Sequence, residues 1–372
     1  MEVKSLSGGI GPGGEPRPTP QRSIYFECMK TIFKKIQPFM SMLLFLLLIN
    51  ACKQSGDQED TSQATDSLQE QTQDYEAISL LGDTLQTLEL SDTERTLYDS
   101  ALLVAENNYR QDSTDLDHII WYGRRLAYAG RFKDAVAVYT AGIKKHPDAP
   151  ALYRHRGHRY LTLRQFDKAA EDLKKASELI EGQPISPEPN GLPLPNPSQQ
   201  LSSLQFNIWY HLGLAYYLQG EYGEAAATYE KCLEYADTDD ATVAVADWLY
   251  MSYRRLGEDE VAEKTLGMIH LDMQVEENKS YYKRLLMYKG VLPPDSVLRI
   301  QGSEIYPSRD LTLATQGYGV ANYYLNLGEA EKAREIFEMV VDGTYWPAFG
   351  HIASEADLYR MKDTIEKDTI DF

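Results

Sequence analysis

Basic and histidine side chains are concentrated in one stretch of the sequence, residues 116–181. This stretch has 13 Lys or Arg against 8 Asp or Glu, a local charge of +5, and four of the chain's seven histidines. Exposed charges more than about 8 Å apart are largely screened at physiological salt, so the stretch keeps a positive field of its own. Guanidinium groups bind carboxylates through paired hydrogen bonds. The chemistry favoured here is therefore the capture of an acidic ligand.

Three histidines, His155, His158 and His211, are candidate metal ligands. Arginines are interleaved with the first two and would repel a cation, and a metal site needs neutral, oriented imidazoles, so no metal is predicted. The sequence has no Gly-rich phosphate loop, paired-carboxylate signature or nucleophile elbow. We therefore predict no catalytic residues, no cofactor and no enzymatic activity.

The overall composition argues against a nucleic-acid-binding protein and against a fold held by disulfides or a metal. The chain has 37 Lys or Arg and 56 Asp or Glu, and its net charge of −19 is opposite to that of a duplex-binding protein, so nucleic acid is not an expected partner. The three cysteines, Cys28, Cys52 and Cys232, lie in unrelated contexts and predict neither a disulfide framework nor a metal site. Cys232 is interpreted as a small buried apolar residue.

The N-terminal region has the pattern of an export signal. Residues 1–28 have no apolar periodicity and are interpreted as a spurious extension before the true start at Met29. Basic residues and an apolar run of eight residues follow, which predicts a signal peptide over residues 29–51. Such a run is too short to span a bilayer, which needs about 20 residues.

The signal ends in Ile-Asn-Ala-Cys, which resembles the bacterial lipobox and implies lipidation of Cys52. The alternative is an ordinary secretory signal with an incidental cysteine. The polar residues 52–75 are typical of a disordered tether. Lys53 replaces the aspartate associated with inner-membrane retention, so the resemblance points to the cell envelope, at the outer membrane, facing the periplasm or the outside.

A pattern with a period of 34 residues dominates the rest of the chain. Its fixed small residues allow the two helices of a pair to approach closely, and they recur as Gly123, Ala135, Gly157, Ala169, Gly213 and Ala225. The pattern predicts helix pairs over residues 116–149, 150–183, 206–239, 243–276 and 311–342.

This period, and the Trp-x2-Leu-Gly-x2-Tyr signature that begins at Trp209, resemble the tetratricopeptide repeat (TPR) family between Asp92 and Lys362. The resemblance implies an all-α fold, a right-handed α-α superhelix of about five helix pairs plus flanking helices, over residues 76–362. It also implies a concave groove, lined by the first helix of each pair, that holds a peptide or a helix of another protein. It implies no catalysis.

Flanking helices complete the array. Ser91 and Glu94 form a capping-box pattern that opens a helix to about Arg110. Two less regular helices are expected at 278–289 and 294–300. Residues 346–362 are expected to form an amphipathic closing helix whose charged side covers the open end of the stack, followed by a tail over 363–372.

A Pro-rich insert interrupts the array at residues 182–200, where six prolines replace the helical periodicity. Connections longer than about 12 to 15 residues are unusual in compact folds and are often functional or disordered. The insert is interpreted either as a semi-rigid extended strap over the solenoid or as a simple insertion.

The family geometry implies which side chains line the groove: Arg124, Arg154 and His158, with Tyr210 and Tyr217 continuing the wall in the next repeat. This set suits a carboxylate or an acidic peptide. The alternative is that the arginines form internal ion pairs with aspartates of the same stretch, namely Asp117, Asp134, Asp167 and Asp172.

The sequence thus predicts a lipid-anchored interaction scaffold that binds a protein or peptide partner of the cell envelope. A second hypothesis is an outer-membrane nutrient-capture lipoprotein that binds a glycan or oligopeptide beside a transporter, which would need a flat exposed aromatic platform. A third, a cytosolic scaffold, requires the signal segment to be misread. Partner identity and oligomeric state stay open.

Overall fold

The computed structural model describes residues 75–189, 202–299 and 309–370. The predicted signal peptide, the proposed lipidation residue Cys52 and residues 190–201 of the Pro-rich insert lie outside these ranges. The described residues fall within one compact unit. No helix in these ranges combines the length and the apolar character needed to cross a membrane.

The described chain is built almost entirely of helices, with two antiparallel pairs of two-residue strands. In chain order the elements are β1 (Ala77–Ile78), β2 (Thr84–Leu85), α1 (Asp92–Gln111), α2 (Leu116–Tyr128), α3 (Phe132–Lys145), α4 (Pro150–Thr162), α5 (Phe166–Leu179), β3 (Pro187–Glu188), β4 (Ser202–Ser203), α6 (Leu204–Gln219), α7 (Tyr222–Leu233), α8 (Asp239–Leu256), α9 (Asp259–Gly267), α10 (Lys279–Tyr288), α11 (Pro294–Leu298), α12 (Arg309–Asn326), α13 (Ala330–Val341) and α14 (Phe349–Ile370).

Five helix hairpins form the array, α2–α3, α4–α5, α6–α7, α8–α9 and α12–α13. Each of the first three packs against the next, and α10 packs against both α8 of the fourth hairpin and α12 of the fifth. Four of the hairpin turns contain a glycine with positive φ, and these are Gly130, Gly220, Gly257 and Gly328. Such a residue satisfies the carbonyls at the end of the first helix and stops it. The all-α helical solenoid predicted from the sequence is confirmed.

Close helix approach inside the pairs explains the repeated small residues. A Cβ atom built on Gly123 would lie 2.4 Å from Cζ of Tyr139, and one on Gly157 would lie 2.7 Å from Cγ of Leu173. Gly213 faces the ring of Tyr229 in the same way, at 2.8 Å. The partner alanines, Ala135, Ala169 and Ala225, are fully buried, as is the free Cys232.

The flanking helices agree closely with the sequence. The Ser91 side chain accepts from the Glu94 backbone N–H, and Glu94 in turn accepts from the backbone N–H of Ser91, so the capping box at the start of α1 is confirmed. Helices α10 and α11 occupy Lys279–Tyr288 and Pro294–Leu298, within two residues of the predicted bounds.

The prediction for the closing helix is wrong. Helix α14 begins at Phe349 and continues through Ile370, beyond the expected end at residue 362. Every residue from Gly350 to Leu358 is buried, so the charged residues of this part do not face solvent. It packs against α12 and α13 and also contacts α6. Its backbone lies so close to α12 that a Cβ on Gly350 would be 2.1 Å from the carbonyl oxygen of Ala314.

The acidic residues of α14 are buried because arginines of the array neutralise them. Glu355 pairs with Arg164, and Asp357 pairs with Arg255 at 2.7 Å between Oδ2 and Nη2. A buried carboxylate is tolerated only with such partners. The acidic residues that predict an exposed face of this helix therefore lie on a buried face.

The two ends of the described array meet. The indole Nε1 of Trp346 donates to the carbonyl of Gln86 at 2.9 Å, and its ring packs edge-on against Phe132 at 5.3 Å. The backbone N–H of Leu80 donates to Glu355 at 3.2 Å. The segment before the first repeat and the last helix are thus in direct contact.

Candidate functional site

Two arginines of the first helices hold a segment of the Pro-rich insert. Arg154, on α4, has a side chain only 9% exposed, and its Nη2 lies 2.9 Å from Oε1 of Glu188. Arg124, on α2, donates from Nη2 to the carbonyl oxygen of Pro189 at 2.8 Å. Its guanidinium also lies over the ring of Trp121, at 4.7 Å. Both predicted groove arginines are therefore brought together around one extended segment of the same chain.

The internal ion pairs considered in the sequence analysis are not those that form. Among the described residues, none of the four candidate aspartates pairs with Arg124 or Arg154. Asp172 forms a bidentate pair with Arg156, while Asp134 pairs with Arg131 and Asp167 accepts from Gln219. Glu188, the carboxylate that is used, was not foreseen. The sequence did carry a signal for it, because Glu188 is the only charged residue of the insert 182–200.

A third arginine, Arg159, joins this group, and sequence reasoning missed it. It lies on α4 with Phe132 5.6 Å below its guanidinium, and within the described ranges it has neither an ion pair nor a hydrogen bond. Burial, with the charges of Arg154 and Arg124, lowers the pKa of Arg159 to about 10. We call Arg124, Arg154 and Arg159 the inner arginine cluster. Glu188 is the one carboxylate paired with it in the described part of the chain.

Three neutral histidines lie beside the inner arginine cluster and the helices next to it. His155 Nδ1 lies 2.8 Å from Arg154 Nη1, and the ring of His158 lies 4.3 Å from that of His211 and 5.3 Å from Phe349 of α14. Burial lowers the pKa of all three histidines well below the usual value, with the nearby arginines adding to the effect. They act as uncharged polar neighbours. No group of three or more metal-ligating side chains is found in the ranges that the structure describes.

The two tyrosines expected to continue the groove wall lie elsewhere. Tyr210 is only 6% exposed and accepts a hydrogen bond from Nε1 of Trp248 at 2.9 Å, while Tyr217 is fully buried with its hydroxyl 2.8 Å from that of Tyr318. The reason is that α6 has neighbours on all sides, in α5, α7, α8 and α14. The surroundings of the cluster are therefore made by α2, α4 and the extended segment, without Tyr210 and Tyr217.

The insert is fixed to the start of α6 by its two ends. The amide side chain of Gln205 accepts from Ser186 N at 3.1 Å and donates to the carbonyl of Pro184 at 2.8 Å. Leu204 N donates to the Ser186 carbonyl at 2.8 Å, and β3 pairs with β4 in antiparallel register. Residues 184–189 thus form an extended segment against the array, in agreement with the strap interpretation.

Comparison with known proteins identifies the repeats. Residues 123–184 and 206–239 each match a family model described as a tetratricopeptide repeat. Together with the helical array, these matches show that the chain contains tetratricopeptide repeats over these residues. A search of curated proteins gave no significant sequence match.

Several solved structures resemble the chain in part. A tetratricopeptide repeat protein from Parabacteroides merdae is 15% identical, with a TM-score of 0.40 over 71% of this chain and 94% of the other. YrrB, described as a TPR protein with an unusual peptide-binding site, is 13% identical, with a TM-score of 0.38 over 70% and 100%. MamA of AMB-1 is 19% identical, with a TM-score of 0.36 over 48% and 93%. Similarity at this level transfers no function.

Proposed function

We propose that this protein is a membrane-anchored scaffold of the bacterial cell envelope that binds an acidic segment of a protein partner at the inner arginine cluster. The tetratricopeptide repeats support the coarser statement, a protein-interaction scaffold. The anchor and the acidity of the partner are the added steps.

One observation carries the proposal. Arg124 on α2 and Arg154 on α4 hold one extended segment of the same chain, Arg159 follows on α4, and within the described residues the only carboxylate paired with any of the three is Glu188 of that segment. A buried arginine without a full set of acceptors favours an incoming carboxylate, since charged hydrogen bonds are stronger where water is excluded. A peptide carboxylate is the ligand that matches this charge and this geometry.

The anchor rests on the lipobox resemblance alone. Two or more acyl chains on Cys52 would give durable attachment, whereas a single chain would be reversible. Metabolic labelling with a palmitate analogue should label the full-length protein, and replacement Cys52→Ser should abolish the label. Wild-type protein that stays unlabelled in the envelope fraction would contradict the anchor.

The groove proposal is tested by comparing variants in their natural setting. The full chain carries a C-terminal tag and is purified from crosslinked membranes as wild type, as Arg124→Glu/Arg154→Glu, and as a matched control. The control is Arg110→Glu/Arg131→Glu, which makes the same charge change at side chains that are 72% and 49% exposed. Circular dichroism verifies that each variant is folded.

We expect the groove variant to lose its specific partner at least tenfold and the control to retain it. A milder pair, Arg124→Gln/Arg154→Gln, should show the same loss without introducing repulsion against Glu188. Capture that is equal in all variants would reject the arginine cluster as the binding surface.

Nothing in the described residues favours the nutrient-capture alternative. A glycan platform would need several exposed rings, and Tyr359 is the only exposed aromatic side chain in the ranges that the structure describes.

A further inference from the structure

We propose that Glu188 and Pro189 are a built-in mimic of the partner: the inner arginine cluster recognises an extended peptide carrying a glutamate followed by a free backbone carbonyl, and this strap segment must leave before the partner binds. The inference rests on the proposed function, because it names the ligand class and the regulation of the same site.

The contacts of the strap define what the site recognises. Arg154 takes the Glu188 carboxylate, and Arg124 takes the main-chain carbonyl of the next residue, Pro189. Prolines at 187 and 189 flank the glutamate and keep the backbone extended, since proline restricts both its own φ and the residue before it. The two arginines therefore bind one side chain and one backbone group of an extended segment and form no hydrogen bond with the neighbouring proline side chains.

The internal pair is weaker than the structural pairs around it. Asp172 accepts from both Nε and Nη2 of Arg156 at 2.7 Å, and Glu355 likewise accepts from both Nε and Nη2 of Arg164. Glu188 lies within ion-pair distance of a single guanidinium nitrogen, Nη2 of Arg154. Its Oε2 and the Nε of Arg154 are both buried and have no hydrogen-bond partner among the described residues.

Leaving such buried groups unpaired is unfavourable, because each has given up its hydrogen bonds to water without a replacement. A free ligand can orient its carboxylate to accept from both Nε and Nη2, as Asp172 does, and so recover this energy. Arg159 offers a further cation that the strap leaves without a carboxylate. The ion pair of Glu188 with Arg154 therefore keeps the strap in the site, but a carboxylate that forms both hydrogen bonds can replace it.

The anchoring of the strap permits this exchange. Its base is held by the contacts of Pro184 and Ser186 with Gln205 and Leu204, which do not involve the side chain of Glu188. The backbone of Glu188 pairs with Ser202 in the two-residue β3–β4 register, and displacement of the strap must open this short pairing. A segment tethered so closely has an effective concentration in the millimolar range, which lowers the apparent affinity of any competitor. Removing the Glu188 carboxylate should therefore unmask the site.

The experiment uses a fluorescein-labelled synthetic peptide with the sequence of residues 184–192, and the same peptide with glutamine in place of its glutamate. Anisotropy titrations compare wild type, Glu188→Gln and the control Glu181→Gln, whose side chain is exposed at the edge of the same insert. We expect the glutamate peptide to bind Glu188→Gln at least tenfold more tightly than wild type or the control. The glutamine peptide should bind none of them at that level.

A second measurement requires no substitution. Excess glutamate peptide added to wild type should increase hydrogen–deuterium exchange in residues 184–189 while α4 stays protected. Equal affinity of wild type and Glu188→Gln, or no binding to either, would overturn the inference. If the arginine variants still lost their membrane partner in that case, the proposed function would stand; if they retained it, both would fall.

Discussion

At the scale of single residues, the close approach of the paired helices depends on glycines, which have no Cβ atom. Gly123 faces the ring of Tyr139, which is 1% exposed and cannot move away, so a methyl group there must displace packed atoms. Gly223, on the exposed side of α7, has nothing within 4 Å of its hypothetical Cβ. The two glycines have the same chemistry and opposite surroundings.

We predict that Gly123→Ala destabilises the protein by about 1–3 kcal/mol through overpacking. Gly223→Ala should be neutral or stabilising by up to about 1 kcal/mol, because alanine favours the helix. Urea unfolding of both variants gives the comparison. Equal effects at the two positions would show that close approach does not explain the repeated glycine.

Glu355 gives a prediction for pH. Burial alone would raise the pKa of this carboxyl, but the hydrogen bonds and charges of His351 and Arg164 outweigh it and lower the pKa to about 2, from 4.5. A depressed carboxyl pKa contributes stability that is present above pH 4.5 and is lost as the pH falls toward 2. The contribution at neutral pH is about 3 kcal/mol.

The stability difference between wild type and Glu355→Gln should accordingly be about 3 kcal/mol or more at pH 7 and should shrink as the pH falls below 4.5. Urea titrations at several pH values measure it, with Glu335→Gln, an exposed glutamate of α13, as the control. A difference that stays constant with pH would contradict the ion pair.

At the scale of elements, two parts of the same chain, the strap and α14, pack against the repeat helices. The strap covers Arg124 and Arg154, and α14 packs against α12, α13 and α6. Arg164, the only non-glycine residue with positive φ in the described ranges, carries the backbone turn between α4 and α5 and pairs with Glu355 of α14. Its unusual backbone conformation is thus stabilised by the helix that it holds.

Gly350 provides the test of this arrangement. A Cβ there meets the backbone carbonyl of Ala314, which cannot rotate aside as a side chain can. We predict that Gly350→Ala costs about 3 kcal/mol and increases hydrogen exchange in both α12 and α14. Unchanged stability would mean that the two helices are not packed as described.

Sequence reasoning predicted these elements better than their environments. The bounds of the repeat helices and of α1 followed from the period, from glycine turns such as Gly130 and from the cap at Ser91, which are local signals, whereas those of α14 did not. The burial of α14 did not follow, because its acidic residues are neutralised by arginines far away in the sequence. Tyr210 and Tyr217 were misplaced for the same reason: whether a ring faces a groove or a core depends on the helices that pack over it.

At the scale of the whole described array, the contact between its ends has a thermodynamic consequence. Open repeat arrays unfold in parts, because each repeat contacts only its neighbours. Here Trp346 connects the segment after the last hairpin to Gln86 and Phe132 at the other end. The terminal repeats should therefore unfold together.

We predict that Trp346→Ala destabilises the protein by about 3–5 kcal/mol and increases exchange in residues 77–88 as well as in α14. Leu327→Ala, at a side chain that is 57% exposed, serves as the control and should leave both regions protected. Exchange that rises only near residue 346 would indicate an array whose ends are independent.

The account depends most on the inner arginine cluster as a carboxylate-binding surface. A crystal structure of the Glu188→Gln variant with the glutamate peptide of residues 184–192 tests it directly. The account predicts the peptide glutamate within hydrogen-bonding distance of Nε and Nη2 of Arg154, and the next carbonyl on Arg124. A peptide bound on any other face, with the strap still seated on both arginines, would contradict it.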